Sequence, residues 1–331
     1  MFGLKKQGGL VGLDVGSSSV KAVELGRRGG KYELLSMAVE DFPPGAVVNQ
    51  SIADAISVAM AIGKVFAENN IRTSQVATAV SGHSVIVKKI TVAGDTADEV
   101  AEAIGEEAER AIQLDLGEVT WDYQVLGAAP GRNLFDVMLV AVKREKVLSH
   151  TEVIRQAGKQ PVVVDIDAFA LQNAFEMSYE PSPHQVNALL DVGSNITNIN
   201  IVRNGVPLFT RDISAGADRL AESAGAAGTE GEAAVQLRAS LEPLVHEIQK
   251  TFDFYRETNS AASIERIYLA GGPAGTPGLA AALAEELQLP VEVMDPLRKL
   301  ELKGSRWDAE QVHRLAPRMG VAMGLALRGF D

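Results

Sequence analysis

The residues best suited to chemistry form a short motif that occurs twice. Leu13–Ser17 and Leu190–Ser194 share the sequence LDVGS, at an offset of 177 residues in a chain of 331. In each copy an apolar run precedes the motif and a second strand-like run follows, which predicts a strand, a tight turn and another strand. Glycine in such a turn lets the backbone approach a ligand, and successive N–H groups can then bind an anion. The repeat therefore predicts two equivalent phosphate-binding loops.

Side chains around both turns extend this prediction. Asp14 and Asp191 stand at the strand ends, and across a cleft between two duplicated halves they could hold a hydrated Mg²⁺, which takes few protein ligands. Asp, Gly and Ser also favour turns for their own reasons, so one copy alone would be weak evidence. Two identical copies in matching contexts favour phosphate binding. The candidate phosphate contacts are Gly16, Ser17, Ser18, Lys21, Gly193, Ser194 and Asn195.

A third glycine-rich segment, Ala270–Gly275, lies between a predicted strand and a predicted helix. Adjacent glycines allow a flat ligand such as a purine to lie against the backbone, although an ordinary glycine-rich connection would look the same. The sequence contains neither GxGxxG nor GxxxxGK[ST], so Rossmann and P-loop interpretations lack their defining residues.

Composition excludes several classes of function. The chain has no cysteine, which rules out disulfides, thiolate metal sites and a thiol nucleophile. Its net charge of −12, without a basic stripe, argues against nucleic acid as a partner. No apolar run approaches the roughly 20 residues that cross a bilayer, and the first residues do not resemble a signal peptide. We therefore expect a cytoplasmic protein whose membrane contact comes through partners.

The pattern along the chain predicts an α/β fold in two lobes. Ser51 is expected to cap a helix that runs to about Asn69, and Val162–Asp165 is expected to be a buried strand before a helix that starts near Ala168. Pro181–Pro183 is the predicted lobe boundary, after which the strand–turn–strand pattern restarts.

The order of these motifs resembles the actin-like ATPase superfamily. LDVGSSSVK, LDVGSNITN, Ala215–Leu220 and LAGGPAG correspond to its phosphate 1 motif, its phosphate 2 motif, a glycine near the base and the adenosine motif. Within the superfamily the chain is similar to the PilM family of type IV pilus assembly, in GLDVGSSSVKAVEL, EVTWDYQVLG, VVVDIDAFALQNAFE and APRMGVAMGLALRG. The resemblance covers nearly the whole chain. It implies a duplicated, ribonuclease H-like two-lobe fold that binds ATP or ADP with Mg²⁺.

The resemblance also implies domain limits. The first lobe would span 1–183 with an inserted subdomain at about 81–157, and the second would span 184–316. A C-terminal helix at 317–331 would return to the first lobe. The second-lobe insert, at about 214–262, is shorter than is usual in the family. Where relatives carry a Glu-x-x-Lys helix near the ribose, the nearest match is Val235–Arg238, with no glutamate.

Further site residues follow from the resemblance alone. Base or ribose contacts are implied for Gly216, Arg238, Gly271, Gly272 and Pro273. Asp167 stands where related proteins carry an acidic residue that positions water, although a helix N-cap is an equal alternative for an aspartate there. Whether ATP is hydrolysed stays open.

The implied partner is the cytoplasmic N-terminal peptide of the membrane protein PilN, held in a groove beside the inserted subdomain. Other inner-membrane platform proteins and the pilus motor ATPases are further candidates. Ser84–Val92, rich in β-branched residues, would be a groove-lining or edge strand, or an ordinary half-buried one. Two alternatives remain: a filament-forming division protein similar to FtsA, although the chain ends ALRGFD without an amphipathic helix, and a sugar or carboxylate kinase.

Overall fold

The computed structural model describes residues 9–48, 50–217, 230–258, 263–302 and 308–330. Its strands are β1 (Val11–Val15), β2 (Ser19–Arg28), β3 (Lys31–Asp41), β4 (Val47–Val48), β5 (Ser51–Ile52), β6 (Gln75–Val80), β7 (Val85–Ala93), β8 (Val119–Ala128), β9 (Leu134–Lys143), β10 (Gln160–Ile166), β11 (Asn187–Val192), β12 (Thr197–Arg203), β13 (Val206–Ile213), β14 (Arg266–Ala270) and β15 (Val291–Val293). Its α-helices are α1 (Ala55–Glu68), α2 (Ala97–Ala111), α3 (Arg144–Gln156), α4 (Asp167–Ser178), α5 (Glu230–Thr258), α6 (Leu279–Leu287), α7 (Ala309–Leu315) and α8 (Gly320–Leu327). No helix in these described ranges is both long enough and apolar enough to span a bilayer.

Two five-stranded sheets repeat one topology. Their orders are β10-β6-β1-β2-β3 and β15-β14-β11-β12-β13. In each, the central strand pairs antiparallel with the next strand along the chain and parallel with a later one. The matching arrangements confirm that the chain is built from two related halves.

Glycines allow the central helices to lie close to the first sheet and to each other. A Cβ on Gly324 of α8 would come within 1.6 Å of the Ala170 carbonyl oxygen of α4. A Cβ on Gly12 of β1 would come within 1.9 Å of the Ala322 carbonyl oxygen. Side chains of both helices join one buried apolar cluster with residues of β11 and β14. This packing fixes the strands that carry the two LDVGS turns.

Residues 80–152 form a second compact unit. It contains an antiparallel sheet in the order β7-β9-β8 and the helix α2. Ile104 of α2 packs on Ile90 and Val137 of the sheet in a small apolar core. The hydroxyl of Thr96 caps α2 by accepting a hydrogen bond from the Glu99 N–H at 3.2 Å. Within this sheet β7 is an edge strand.

Two local predictions were wrong. Helix α1 begins at Ala55, because the Asp54 carboxylate accepts the N–H groups of Ile56 and Ser57 at 3.1 Å and caps it in place of Ser51. The predicted buried strand, β10, lies at a sheet edge, where Val162 and Val164 are 46% and 38% exposed. The predicted insert at 214–262 lies partly outside the described residues, as do Asp218–Leu220 of the resemblance.

Candidate functional site

The two LDVGS copies form equivalent turns. The Gly16 N–H donates to the Ser19 carbonyl at 3.0 Å, and the Gly193 N–H donates to the Ile196 carbonyl at 2.9 Å. In both turns the glycine follows the last residue of a strand, and the next strand begins three or four residues later. The sequence repeat is therefore also a repeat of backbone geometry.

The two turns meet across a cleft within the unit that comprises residues 1–79 and 153–331. The Ser194 hydroxyl donates to the Ser18 hydroxyl at 3.4 Å. A cavity of about 70 Å³ lies between the turns. The predicted residues that line it are Asp14, Gly16, Ser17, Ser18, Lys21, Asp167, Asp191, Gly193, Ser194, Gly271, Gly272 and Pro273.

The third glycine segment packs directly on the second turn. Gly271 has φ +103°, a conformation that favours glycine, and a Cβ there would lie 2.1 Å from the Val192 carbonyl oxygen. The Gly271 N–H donates to the Pro317 carbonyl at 2.9 Å. Gly272 has no atom within 4 Å of its Cβ position, so its backbone presents an open face beside the cavity.

The two cleft carboxylates differ in their counter-charges. The Lys21 ammonium lies 2.8 Å from the Asp14 carboxylate, as an ion pair whose side chains are only 13% and 10% exposed. Burial alone would lower the pKa of Lys21, but the charge and hydrogen bond of Asp14, together with the charge of Asp191, outweigh it and raise that pKa. Burial, reinforced by the charges of Asp14 and Asp212 and opposed by Lys21, raises the pKa of Asp191 to about 6.

Strand register explains this asymmetry. Asp14 pairs with Lys21 across the first hairpin, and Asp191 pairs with Asn198 across the second. Asn198 is neutral, and its amide donates to the Asp212 carboxylate at 2.5 Å. The second copy of the motif therefore places a neutral side chain where the first places a cation.

The donor set fits a hydrated divalent cation. Asp14 and Asp191 repel each other electrostatically inside the cleft, and a cation between them would remove that repulsion. In the described ranges no cluster of three or more Asp, Glu or His side chains could hold a metal ion. Two carboxylates suit Mg²⁺, which keeps several of its waters and takes few ligands from the protein.

Asp167 is the first residue of α4, and Ile166 is the N-cap, with no side-chain cap hydrogen bond. The N-cap alternative for Asp167 is therefore wrong. Its position in the cavity wall leaves a role toward a ligand or a water molecule as a prediction.

Three predicted residues lie outside the cavity lining. Asn195 is exposed on the second turn. A Cβ on Gly216 would lie 2.1 Å from the Ser194 carbonyl oxygen, so Gly216 packs closely against that turn. Arg238 of α5 forms an ion pair with Glu285 of α6. Their nucleotide contacts stay predictions.

Five lining residues were missed by the sequence interpretation: Ser19, Gln50, Ile196, Asn198 and Arg318. Asn198 could have been found by extending the repeat, because it is the counterpart of Lys21. Gln50 has a left-handed backbone, with φ +61°, which no sequence signal indicated. Arg318 lies within the C-terminal segment that carried the family resemblance, but nothing there pointed to the cleft.

The repeated sheets, facing turns and glycine loop define an actin-like ATPase fold, which is a nucleotide-binding fold. Two distant solved structures share it. Ethanolamine utilization protein EutJ from Carboxydothermus hydrogenoformans has 16% identity and a TM-score of 0.53, covering 96% of this chain and 88% of its own. A diol dehydratase-reactivating factor in nucleotide-free form has 9% identity and a TM-score of 0.55, covering 97% of this chain and 100% of its own.

A closer similarity identifies the family. The structure of a PilM–PilN type IV pilus biogenesis complex matches with a TM-score of 0.85 and 29% identity, over 98% of this chain and 99% of that one. The family model described as type IV pilus assembly protein PilM matches residues 12–330. The chain belongs to the PilM family of type IV pilus assembly proteins.

Proposed function

We propose that this chain is a cytoplasmic adaptor of the type IV pilus inner-membrane platform. It binds ATP or ADP with Mg²⁺ between the two LDVGS turns and captures the cytoplasmic N-terminal peptide of PilN. The observation that carries the proposal is the pair of equivalent turns facing each other in a chain of the PilM family. Contact with the inner membrane comes through the partner.

Each turn contributes complementary donors to the phosphates. The backbone around Gly16 and Gly193 offers N–H groups, and Ser17, Ser18 and Ser194 offer hydroxyls. Asp14 and Asp191 hold Mg²⁺ through its waters, and the ion neutralises phosphate charge. Gly271, Gly272 and Pro273 provide the flat surface for the base.

Nucleotide binding requires the turns to separate. The cavity of about 70 Å³ is far smaller than the roughly 300–1,000 Å³ typical of small-molecule sites. A triphosphate that enters between Ser18 and Ser194 therefore moves the two halves relative to each other. An adaptor can be switched in this way if its partner binds one arrangement better, and turnover is not required. Asp167, which lines the same cavity, would orient the water if slow hydrolysis occurs.

The PilN assignment rests on the relative whose structure is a PilM–PilN complex and whose similarity extends over nearly the full chain. Strand β7, as an edge of its sheet, also offers a backbone edge for an extended peptide. The rest of the proposed peptide groove, beside the inserted subdomain, is inferred from the family resemblance alone.

A direct test titrates the purified protein into a labelled PilN N-terminal peptide, with and without Mg-ATP, and follows fluorescence anisotropy. A scrambled peptide is the control. Saturable binding of the native peptide alone is expected, with an affinity that differs between the two conditions. Absence of binding in both conditions would refute the adaptor assignment.

A separate experiment tests the nucleotide site. Asp14→Ala and Asp191→Ala should each abolish the increase in melting temperature that Mg-ATP causes, and persistence of that increase in both variants would refute the site.

A further inference from the structure

One cavity-lining side chain reaches the cleft from the far end of the sequence. Arg318 belongs to a short 3₁₀ segment, Ala316–Met319, between α7 and α8. The carbonyl of the preceding residue, Pro317, accepts the Gly271 N–H at 2.9 Å, which ties this segment to the third glycine loop. The Arg318 side chain lines the same cavity as the two LDVGS turns.

The guanidinium of Arg318 is poorly satisfied where it lies. One Nη lies 3.5 Å from the Ser19 hydroxyl and 3.5 Å from the Asp41 carboxylate, both at the long limit for such contacts. Asp41 is 80% exposed, so the ion pair is weak. The Nε of Arg318 is buried and has no acceptor among the described residues. A guanidinium carries five N–H donors, and a buried one without an acceptor is costly.

Lys21, the other cationic side chain that lines the cavity, already forms an ion pair. Lys21 lies 2.8 Å from Asp14, and the positive charge of Arg318 acts unfavourably on it. Two like charges are therefore held at one cavity beside a serine-rich turn, and one of them has only long contacts. An anion with several oxygens would relieve the repulsion and accept the unpaired N–H groups. Phosphate has this chemistry, and a planar guanidinium can bind two of its oxygens at once.

We propose that Arg318 is a further phosphate-binding residue of the nucleotide site, which leaves Asp41 and donates to the phosphate oxygens when the nucleotide binds. The inference rests on the proposed nucleotide-binding function. It adds a contact from the C-terminal segment to a site whose other predicted phosphate contacts lie in or beside the two LDVGS turns. Because Pro317 is tied to Gly271 while the side chain of Arg318 reaches toward Ser19, this contact would join the base side of the site to the first phosphate turn.

The test is calorimetric titration of the full chain with Mg-ATP and Mg-ADP. Arg318→Gln should weaken both by about tenfold or more, because it removes a charge-assisted hydrogen bond. Arg318→Lys should be intermediate, since it keeps the charge and loses the planar fork. Arg314→Gln removes the same charge from an exposed position four residues earlier and should stay within about twofold of the wild type. Asp41→Asn releases the guanidinium and should bind as tightly as the wild type or more tightly.

The outcomes separate this inference from the function on which it rests. If the wild type binds nucleotide and Arg318→Gln binds within twofold of it, the inference is wrong and the proposed site stands. If Asp41→Asn weakens binding as much as Arg318→Gln does, the pair has only a structural role and the inference is again wrong. If the wild type binds neither nucleotide, the proposed function and this inference both fail. Thermal unfolding without nucleotide checks that each variant is folded.

Discussion

The hydroxyls of Ser18 and Ser194 lie 3.4 Å apart, although 176 residues separate them in sequence. Ser18 directly follows the first LDVGS copy and Ser194 ends the second, so the two copies meet at their equivalent turns. A ligand bound by both turns would lie beside this contact. We expect nucleotide binding at the proposed site to increase the distance between these two side chains.

The first prediction is that the matched substitutions Asp14→Asn and Asp191→Asn have opposite effects on stability. Asp14→Asn leaves Lys21 buried without its adjacent counter-charge and should destabilise the protein by roughly 3 kcal/mol at pH 7. Asp191→Asn removes a largely buried carboxylate whose cross-strand partner, Asn198, is neutral, and it should stabilise the protein. Chemical denaturation in the presence of a chelator and without nucleotide measures both. Equal effects of the same sign would show that the charge asymmetry is wrong.

The second prediction concerns the pH dependence of the Asp191 contribution. Its folded-state pKa of about 6 exceeds the ordinary 3.8, so the folded state holds this proton more tightly. The stabilisation of the folded state by protonated Asp191 is fully present below about pH 3.8, and it is lost as the pH rises through about 6. Between these pH values the free energy of unfolding of the wild type should fall by about 3 kcal/mol relative to that of Asp191→Asn. The reason is that the pKa of Asp191 is about two higher in the folded state than in the unfolded state. Free energies of unfolding from pH 4 to 8 test this, and parallel curves would contradict it.

The third prediction compares two glycine-to-alanine changes in helices. Gly324→Ala would place a methyl group 1.6 Å from the Ala170 carbonyl oxygen and should destabilise the protein by about 3 kcal/mol or more. Gly63→Ala lies within α1, has no atom within 4 Å of its Cβ position, and should stabilise by about 0.5–1 kcal/mol. Thermal or denaturant unfolding of both variants measures the difference. A tolerated Gly324→Ala would show that α4 and α8 do not pack this closely.

The repeat of the LDVGS motif made much of the candidate site predictable from the sequence. Asp14, Gly16, Asp191 and Gly193 could be placed because identical segments in matching contexts fold into matching turns. The third glycine-rich segment, Ala270–Gly275, was predictable because adjacent glycines after a strand allow the backbone to approach a neighbour closely. Gly271 approaches the Val192 carbonyl in this way.

The features that the sequence did not predict depend on contacts between distant parts of the chain. Val162 and Val164 suggested a buried strand, but burial depends on neighbours, and β10 has a neighbouring strand on one side only. Arg318 lies about 300 residues from Ser19, and no pattern along the chain links them. The ion pair of Arg238 with Glu285 joins two different helices, and the family resemblance that suggested Arg238 gave no sign of it.

The absence of cysteine makes the central claim directly measurable by cross-linking. Ser18→Cys with Ser194→Cys places two thiols at the contact between the turns, and each single variant is a control. Under mild oxidation the double variant should form an intramolecular disulfide, and Mg-ATP should slow its formation at least severalfold by separating the turns. The oxidised protein should lose Mg-ATP binding and regain it on reduction. Rapid disulfide formation unaffected by Mg-ATP, or undiminished Mg-ATP binding by the oxidised protein, would contradict a nucleotide site between the two LDVGS turns.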